Sequence, residues 1–436
     1  MVEMSRREFL DKSGKAALGL AVGSMIAQPA IAQRKKPGAN DKIRIGTIGM
    51  GGMGMHNMGM FLGMPDVEVV AVCDVDTRRT DAAAAEVEKQ KGKKPLVHHD
   101  FRRVLDMKDV DAVLISTPDH WHALPTILAC EAGKDVYVEK PIGHDIVEGR
   151  AMLGAAKKYG TVVQVGTWQR SVQHYADAMR FVQAGKLGKI HQVRAWTVSA
   201  AGAGKNKVSP APKEVDWDFW VGPAEWVPFK ACYHPGHFRW FYNFAAGLTG
   251  DWGVHMLDTV GTFMGEWHPQ EVASYGGKLA QPDDDRTTPD TQIAIYKFPD
   301  WILQWEIHVY GAGLDGGGGH GAEFIGENGT LRIDREGYHF DKPEGGPTAT
   351  EKLSSDHWRN FIDCMRSREK PRSDIESMHY STNLCHLANA AYLMGRSLTW
   401  DGKKQEIVGD KAAMQCQSYT RAYRKPWVLP RHDLEA

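Results

Sequence analysis

Asp251 and His255 stand four residues apart in the run Gly250-Asp251-Trp252-Gly253-Val254-His255-Met256-Leu257-Asp258. On a helix that spacing places both side chains on one face. A carboxylate there orients the imidazole and favours its protonated form, which is what a general acid–base requires. Asp258 follows three residues on, and Gly247 and Gly250 just upstream imply a close approach to another group. A third reactive side chain is Lys140, set in Val138-Glu139-Lys140-Pro141 at the end of an apolar run. The proline holds the lysine in extended or turn backbone and permits a cis bond, either of which can aim the ammonium at a ligand. These residues suit proton transfer at a hydroxyl. The competing reading of the Asp–His pair is an ion pair on a helix surface.

A second constellation binds rather than reacts. The apolar run Ile43-Arg44-Ile45-Gly46-Thr47-Ile48 leads directly into Gly49-Met50-Gly51-Gly52-Met53-Gly54, a GxGxxG with one additional glycine at position 52. In such a loop the first glycine makes the tight turn, the second lets backbone approach a pyrophosphate, and the third lets a helix pack closely on the strand. The helix then points its N-terminal amides at the phosphates. A further apolar run, Val67 to Cys73, ends in Asp74, placed to accept from the ribose 2′-OH of NAD and to repel the extra phosphate of NADP. Arg78 and Arg79 temper that preference. The cofactor expected is therefore NAD ahead of NADP.

These groups need a frame, and the hydrophobic pattern supplies one. Apolar runs at 111–116, 135–139 and 161–166 alternate with helical patterns at 125–132 and 146–159. Alternating β and α units predict a parallel, doubly wound Rossmann sheet over residues 41–166. Thr117-Pro118 and Glu139-Lys140 then end strands at the carboxyl edge, where ligands of open α/β sheets bind. His120 and His122 are two apart and lack zinc-like spacing, so no metal site is expected, and His122 reads as a cofactor neighbour. The six methionines from Met50 to Met64 read as packing of the first helix rather than a copper site. Met50 and Met53 are also placed at the cofactor.

Beyond residue 166 the pattern changes to strands, including 190–197, 292–298, 302–310 and a hairpin around Asn328-Gly329. An α+β domain with a large, open, mostly antiparallel sheet is expected over 167–436. Its aromatic run Tyr233-His234-Pro235-Gly236-His237-Phe238-Arg239-Trp240-Phe241-Tyr242 suits a polyhydroxylated ring, with rings against CH faces and polar groups on hydroxyls. Tyr233, His237, Arg239 and Trp240 are the substrate candidates there, against a core aromatic cluster as the bland alternative. His320 rides on a glycine-rich stretch, 311–321, and is a further candidate.

With the glycine loop, the segments Ser116-Thr117-Pro118-Asp119-His120-Trp121-His122, Val138-Glu139-Lys140-Pro141 and Gly250 to Asp258 resemble the glucose–fructose oxidoreductase / inositol dehydrogenase (Gfo/Idh/MocA) family. The resemblance spans nearly all of the chain after residue 40. The run from Asp356-His357-Trp358 to Trp427 is similar to envelope-targeted, sugar-related members. The resemblance implies an NAD(P)-dependent oxidoreductase acting on a CH–OH group of a sugar, polyol or glycoside, with acid–base residues at Asp251 and His255. It implies cofactor contacts from Gln169 and Arg170, whose alternative role is a buried polar pair at the domain junction. It also implies a homodimer or homotetramer through the open face of the C-terminal sheet. One branch cleaves glycosides by oxidation and elimination, but its members usually carry another residue at the Lys140 position. The rivals are a non-catalytic sugar-binding protein of the envelope and a reductase of another carbonyl class.

Composition agrees with an ordinary globular protein: of 436 residues, 42% are hydrophobic and 25% charged. Lys+Arg number 53 against 54 Asp+Glu, so the basic excess of a nucleic-acid binder is missing. No apolar run reaches the roughly 18 residues of a membrane span. The first residues read as an address: Ser5-Arg6-Arg7-Glu8-Phe9-Leu10, an apolar stretch from Ala16 to Ala27, then Ala30-Ile31-Ala32. This resembles a twin-arginine signal over 1–32, followed by a polar linker over 33–40, and implies a periplasmic protein. Of the six scattered cysteines, Cys73 and Cys130 read as buried thiols, and Cys364 and Cys385, on successive helices, could meet in a disulfide.

Overall fold

The computed structural model describes residues 38, 41–234, 236–311, 313, 318–342, 348–349 and 356–432. The expected signal peptide lies outside the described residues, as does all of the linker except Gly38.

The first layer is a six-stranded parallel sheet in the order β3-β2-β1-β4-β5-β6. Its strands are β1 (Ile43–Ile48), β2 (Val67–Cys73), β3 (Leu96–His98), β4 (Ala112–Ile115), β5 (Asp135–Val138) and β6 (Val163–Val165). Every residue of β4, β5 and β6 is buried, as expected of strands covered on both faces. Helices α1 (Gly52–Leu62), α2 (Thr77–Lys91), α3 (Phe101–Leu105), α4 (Ala123–Glu131) and α5 (Ile146–Tyr159) connect them. Their ends follow local chemistry. Asp76 caps α2 by accepting from the Arg78 amide, Asp145 caps α5 through the Glu148 amide, and both helices stop at left-handed glycines, Gly92 and Gly160.

A short connection through α6 (Gln173–Gln183) leads to a ten-stranded sheet. Its strands are β7 (Ile190–Val198), β8 (Glu271–Gly277), β9 (Thr291–Lys297), β10 (Ile302–His308), β11 (His320–Gly326), β12 (Gly329–Ile333), β13 (Tyr338–Asp341), β14 (Thr348–Ala349), β15 (Leu398–Asp401) and β16 (Glu406–Ile407). The order is β14-β13-β12-β11-β7-β10-β9-β8-β15-β16, antiparallel except for the β7–β10 pair. Alternation is clear on β9, where Gln292, Ala294 and Tyr296 point inward while Ile293 and Ile295 are exposed. The inner face packs on α9 (Gly253–Met264) and α11 (Ile375–Met394); α7 (Trp217–Val221), α8 (Gly247–Asp251) and α10 (Asp356–Ser367) complete the helices.

Helix α10 returns to the first layer. Trp358, Phe361, Ile362 and Met365, all fully buried, pack with Ile43, Met58, Phe61 and Tyr137 on one face of the parallel sheet. Truncating a buried tryptophan such as Trp358 costs about 3–5 kcal/mol. The methionines Met50, Met58 and Met64 belong to this same cluster, so they pack the sheet as expected. The cysteines are free thiols, buried except for the half-buried Cys416.

Candidate active site

The carboxyl ends of β1, β2, β4 and β5 open into a cleft of about 430 Å³, within the range of ligand pockets. The glycine loop forms one wall, and each glycine has a different reason to be there. Gly49 sits at φ +86°, and a Cβ on it would come within 2.7 Å of the Ser116 and Thr117 backbone. A Cβ on Gly54 would reach 1.9 Å from the Gly49 carbonyl oxygen, so this glycine lets α1 lie against the loop. A Cβ on Gly51 would meet the Arg79 guanidinium at 2.7 Å, whereas Gly52 faces open space. Gly51 is also the N-cap of α1 and offers no side-chain acceptor, leaving the first amides of the helix free for phosphate.

Asp74 borders the cleft at the end of β2. Its Oδ2 accepts from the Met50 amide at 2.6 Å and its Oδ1 from the Asp76 amide at 2.9 Å. Burial raises its pKa in spite of these donors and of Arg79. Arg79 borders the same end of the cleft, while Arg78 is turned to Asp76 at 2.8 Å. Thr117, Pro118 and His122 continue the wall, and the buried Thr117 hydroxyl has no hydrogen-bond partner. The ring nitrogens of His122 lie 2.6 Å from the Pro141 carbonyl and 2.8 Å from that of Thr117. It therefore ties the two strand-end loops together beneath the cofactor wall, and burial depresses its pKa. Met53 is exposed at the rim; Met50 is buried below and contributes its amide rather than its side chain. The glycine cradle, free helix amides and orphaned Thr117 hydroxyl fit a dinucleotide.

At the other end lies a chain of charges. Lys140, whose bond to Pro141 is cis, donates from Nζ to Asp251 Oδ1 at 2.6 Å and to the Asp251 carbonyl at 3.1 Å. Arg239 Nε lies 3.2 Å from the other carboxylate oxygen. Burial opposes ionisation of Asp251, but Lys140 and Arg239 overcome it and hold the carboxyl well below its usual range. Glu139 borders the cleft, yet its Oε1 accepts from Asn57 Nδ2 at 2.8 Å, and Trp358 in turn donates to Asn57 at 3.0 Å. A relay from α10 through α1 thus steadies the segment that carries Lys140. Burial raises the Glu139 pKa.

Asp251 and His255 do not form the expected pair. Helix α8 ends at Asp251, Trp252 continues in helical backbone as a turn, and α9 begins at Gly253, but the Asp251 carboxylate is not hydrogen-bonded to His255. Asp251 is committed to Lys140 and Arg239. His255 Nδ1 is buried without a partner, and burial, then Lys140 and Arg335, hold the imidazole well below its ordinary pKa. It is a neutral ring poised to accept, not an imidazolium.

Several predicted residues lie away from this cleft. Arg170 is bound by both carboxylate oxygens of Asp258 and donates to Ser377 at 2.7 Å, which makes it a junction clamp between α9 and α11. Gln169 is buried and donates to the Tyr175 hydroxyl at 2.6 Å. Tyr233 and Trp240 are core residues: Tyr233 packs with Trp217, Phe241 and Phe244, and the Trp240 ring carries the Arg286 guanidinium at 5.3 Å. The apolar neighbours around them leave no face for a sugar. His237 is exposed, and the His320 ring lies 4.7 Å from the Trp252 ring, tilted by 42°. Of the five substrate candidates, Arg239 alone borders the cleft.

Asp119 had no assigned role beyond its motif. It begins a short 3-10 turn, borders the cleft and is 7% exposed. Burial pushes its pKa up to about 7, with Lys140 opposing and Asp251 adding to the rise. Its position directly after Thr117-Pro118 at a strand end was the available signal.

Fold and cleft together define an NAD-binding oxidoreductase. Residues 43–167 match the NAD-binding Rossmann domain of an oxidoreductase family, and residues 188–429 match that family's C-terminal alpha/beta domain. The chain belongs to the Gfo/Idh/MocA oxidoreductase family. Among solved structures it is similar to the WlbA dehydrogenase from Bordetella pertussis in complex with NADH and UDP-GlcNAcA. That likeness has a TM-score of 0.64 and 19% identity, covering 83% of this chain and 99% of the other. It is also similar to myo-inositol 2-dehydrogenase from Lactobacillus plantarum, at TM-score 0.61 and 19% identity over 82% and 99%. Among curated relatives, an alpha-N-acetylgalactosaminidase from Shewanella oneidensis is 29% identical over 174 residues, 36% of this chain. A glycosyl hydrolase family 109 protein from Shewanella pealeana is 30% identical over 172 residues. These matches span 38% of the relatives' length.

Proposed function

We propose that this protein oxidises a CH–OH group of a sugar, polyol or glycoside, using an NAD that stays bound through the cycle. The observation that carries the reading is one cleft with a glycine cradle at one end and Lys140–Asp251–Arg239 at the other. Bound NAD supplies the hydride acceptor. Lys140 donates to the oxygen of the reacting hydroxyl, with its ammonium fixed by Asp251. The neutral His255 ring accepts the hydroxyl proton. Asp74, accepting through its carboxylate at the ribose end, favours NAD over NADP.

A second reading is supported by the curated relatives: oxidation followed by elimination, cleaving a glycosidic bond. Lys140 weighs against it. One experiment separates the two. The purified protein is assayed for bound nucleotide by mass spectrometry, then mixed with sugars and nitrophenyl glycosides. Reduction at the nicotinamide absorbance band with free sugars supports the oxidoreductase; catalytic release of nitrophenol supports the glycosidase; a protein without nucleotide and without either activity refutes both.

Location fits retained NAD, since free NAD is scarce outside the cytoplasm. We place the protein in the periplasm through the Arg6-Arg7 signal. Arg6→Lys with Arg7→Lys should leave the unprocessed chain in the cytoplasm, and normal processing in a fractionation experiment would refute that placement.

A further inference from the structure

Arg335, in the turn between β12 and β13, stands out because it has no hydrogen-bonded or ion-paired partner among the described residues, whereas Lys140, Asp251 and Arg239 are joined. Its guanidinium carbon lies 4.5 Å from the Trp168 ring and 4.4 Å from the Trp252 ring. Two indole rings therefore pack on the guanidinium, a contact made through its face that leaves its N–H donors for hydrogen bonding. Its Nε is buried without an acceptor, and the guanidinium has no hydrogen bond or ion pair among the described residues. The nearby carboxylates do not serve it. Asp334 is used by the Glu336 and Gly337 amides at 2.9 and 3.0 Å, and Glu336 is exposed. Arg332, three residues earlier, shows the contrast, donating to Glu323 at 2.9 Å.

Around the same Trp252 ring, other buried polar atoms also lack partners. Among the described residues they are His255 Nδ1 and His320 Nε2, on rings 6.1 and 4.7 Å from Trp252. A buried polar atom without a partner costs about 1–3 kcal/mol, and a guanidinium beside them with no hydrogen-bonded acceptor points to a ligand that supplies one. Burial lowers the Arg335 pKa, with Tyr175, Asp251 and Glu336 acting against that through space and none of them hydrogen-bonded to it. A guanidinium edge matches a carboxylate with two parallel hydrogen bonds. The flanking imidazoles are both depressed in pKa, His255 by burial then Lys140 and His320 by burial then Arg335, so neither adds the second charge a phosphate dianion would call for.

We infer that the substrate is an acidic sugar whose carboxylate docks on Arg335 while its reacting hydroxyl sits between Lys140 and His255. The inference rests on the oxidoreductase reading above and narrows its substrate class to hexuronates and their glycosides.

The test uses the full chain with its bound NAD. D-glucuronate, D-galacturonate, their N-acetylated counterparts and the methyl glycosides of all four are each paired with the neutral parent sugar and with the parent 6-phosphate. Binding is measured by titration calorimetry and hydride transfer by single-turnover absorbance, for wild type, Arg335→Gln and Arg335→Lys. At least one uronate should bind ten-fold or more tighter than its parent. Arg335→Gln should collapse that ratio by about 10- to 100-fold, as loss of a bidentate charged pair implies, and Arg335→Lys should restore part of it. Retained nucleotide and unchanged far-ultraviolet circular dichroism show that the variants are folded. No uronate preference, a preference that survives Arg335→Gln, or a stronger preference for a 6-phosphate each overturns the inference. Reduction of NAD by neutral sugars without uronate preference leaves the oxidoreductase reading standing and defeats the inference alone. Uronate binding that depends on Arg335 but never reduces the NAD does the reverse.

Discussion

Replacing Lys140 with methionine removes the ammonium 2.6 Å from Asp251 while keeping a side chain of similar length. Arg239, 3.2 Å from the other oxygen, remains to hold the carboxylate ionised, and nothing in the glycine loop is disturbed. NAD should therefore stay bound, while the reacting hydroxyl loses its donor. A positioned acid or base contributes about 10²- to 10⁴-fold, or about 2.7–5.4 kcal/mol at 1.36 kcal/mol per decade. Asp251→Asn should cost a similar amount. It removes the anion between two cations and leaves Lys140 facing Arg239, rather than merely loosening the orientation of His255. Because Lys140 and Asp251 touch, they act as a unit, and the double variant should lose little more than the worse single one. That corresponds to a coupling of about 2 kcal/mol or more, toward the upper end of the 0.5–3 kcal/mol seen for contacting pairs. The assay is stopped-flow, single-turnover reduction of enzyme-bound NAD. Wild-type rates in Lys140→Met, or losses that multiply in the double variant, would refute the assignment.

Asp74→Ala should weaken NAD binding and narrow its advantage over NADP, because Arg79 remains at that end of the cleft to receive a 2′-phosphate; nucleotide titrations of the apoprotein check this, and a wild-type preference for NADP would overturn it. Asp119→Asn should gain stability relative to wild type as pH rises. The folded carboxyl, raised by burial from its usual 3.8 to about 7, binds more protons than the unfolded one between those values, so wild-type stability falls across that window while the amide's does not. The gap should reach a few kcal/mol at most, and parallel thermal melts at pH 5 and pH 8 that show no change in it would refute the burial argument. Ile293→Glu with Ile295→Lys places charges on the exposed face of β9, where Tyr275 and Ile302 are also exposed. Light scattering should show a smaller assembly if that face forms the proposed dimer or tetramer, and an unchanged mass would refute the surface.

The parallel sheet was largely legible because its strands are buried on both faces and therefore read as uninterrupted apolar runs. Strand β3 escaped notice for the converse reason: it has three residues, Leu96 and Val97 are exposed, and no apolar run announces it. The glycine loop was legible because each glycine answers a local steric demand, which sequence carries directly. Long-range assignments fared differently. Helix α10 looks like an ordinary amphipathic helix, and nothing in its own residues says that it will pack on a sheet formed about 200–300 positions earlier. The aromatic run from Tyr233 to Tyr242 was ambiguous in kind, since a ring that stacks on a sugar and a ring that fills a core have the same composition.

The Asp251–His255 pair shows where periodicity stops being informative. Four-residue spacing puts two side chains on one face, but which neighbour a carboxylate then binds depends on tertiary packing. That choice has a chemical consequence. With Asp251 turned to Lys140 and Arg239, its pull on His255 is outweighed by burial, Lys140 and Arg335, and the imidazole remains neutral. A neutral ring is the form able to take a proton as hydride departs, and the sequence pattern did not carry the contact between Asp251 and Lys140 that leaves the ring neutral. Arg335 carried no local signal at all. Its meaning lies in having no hydrogen-bonded acceptor among the described residues, and that lack can be read only once the neighbours are in place.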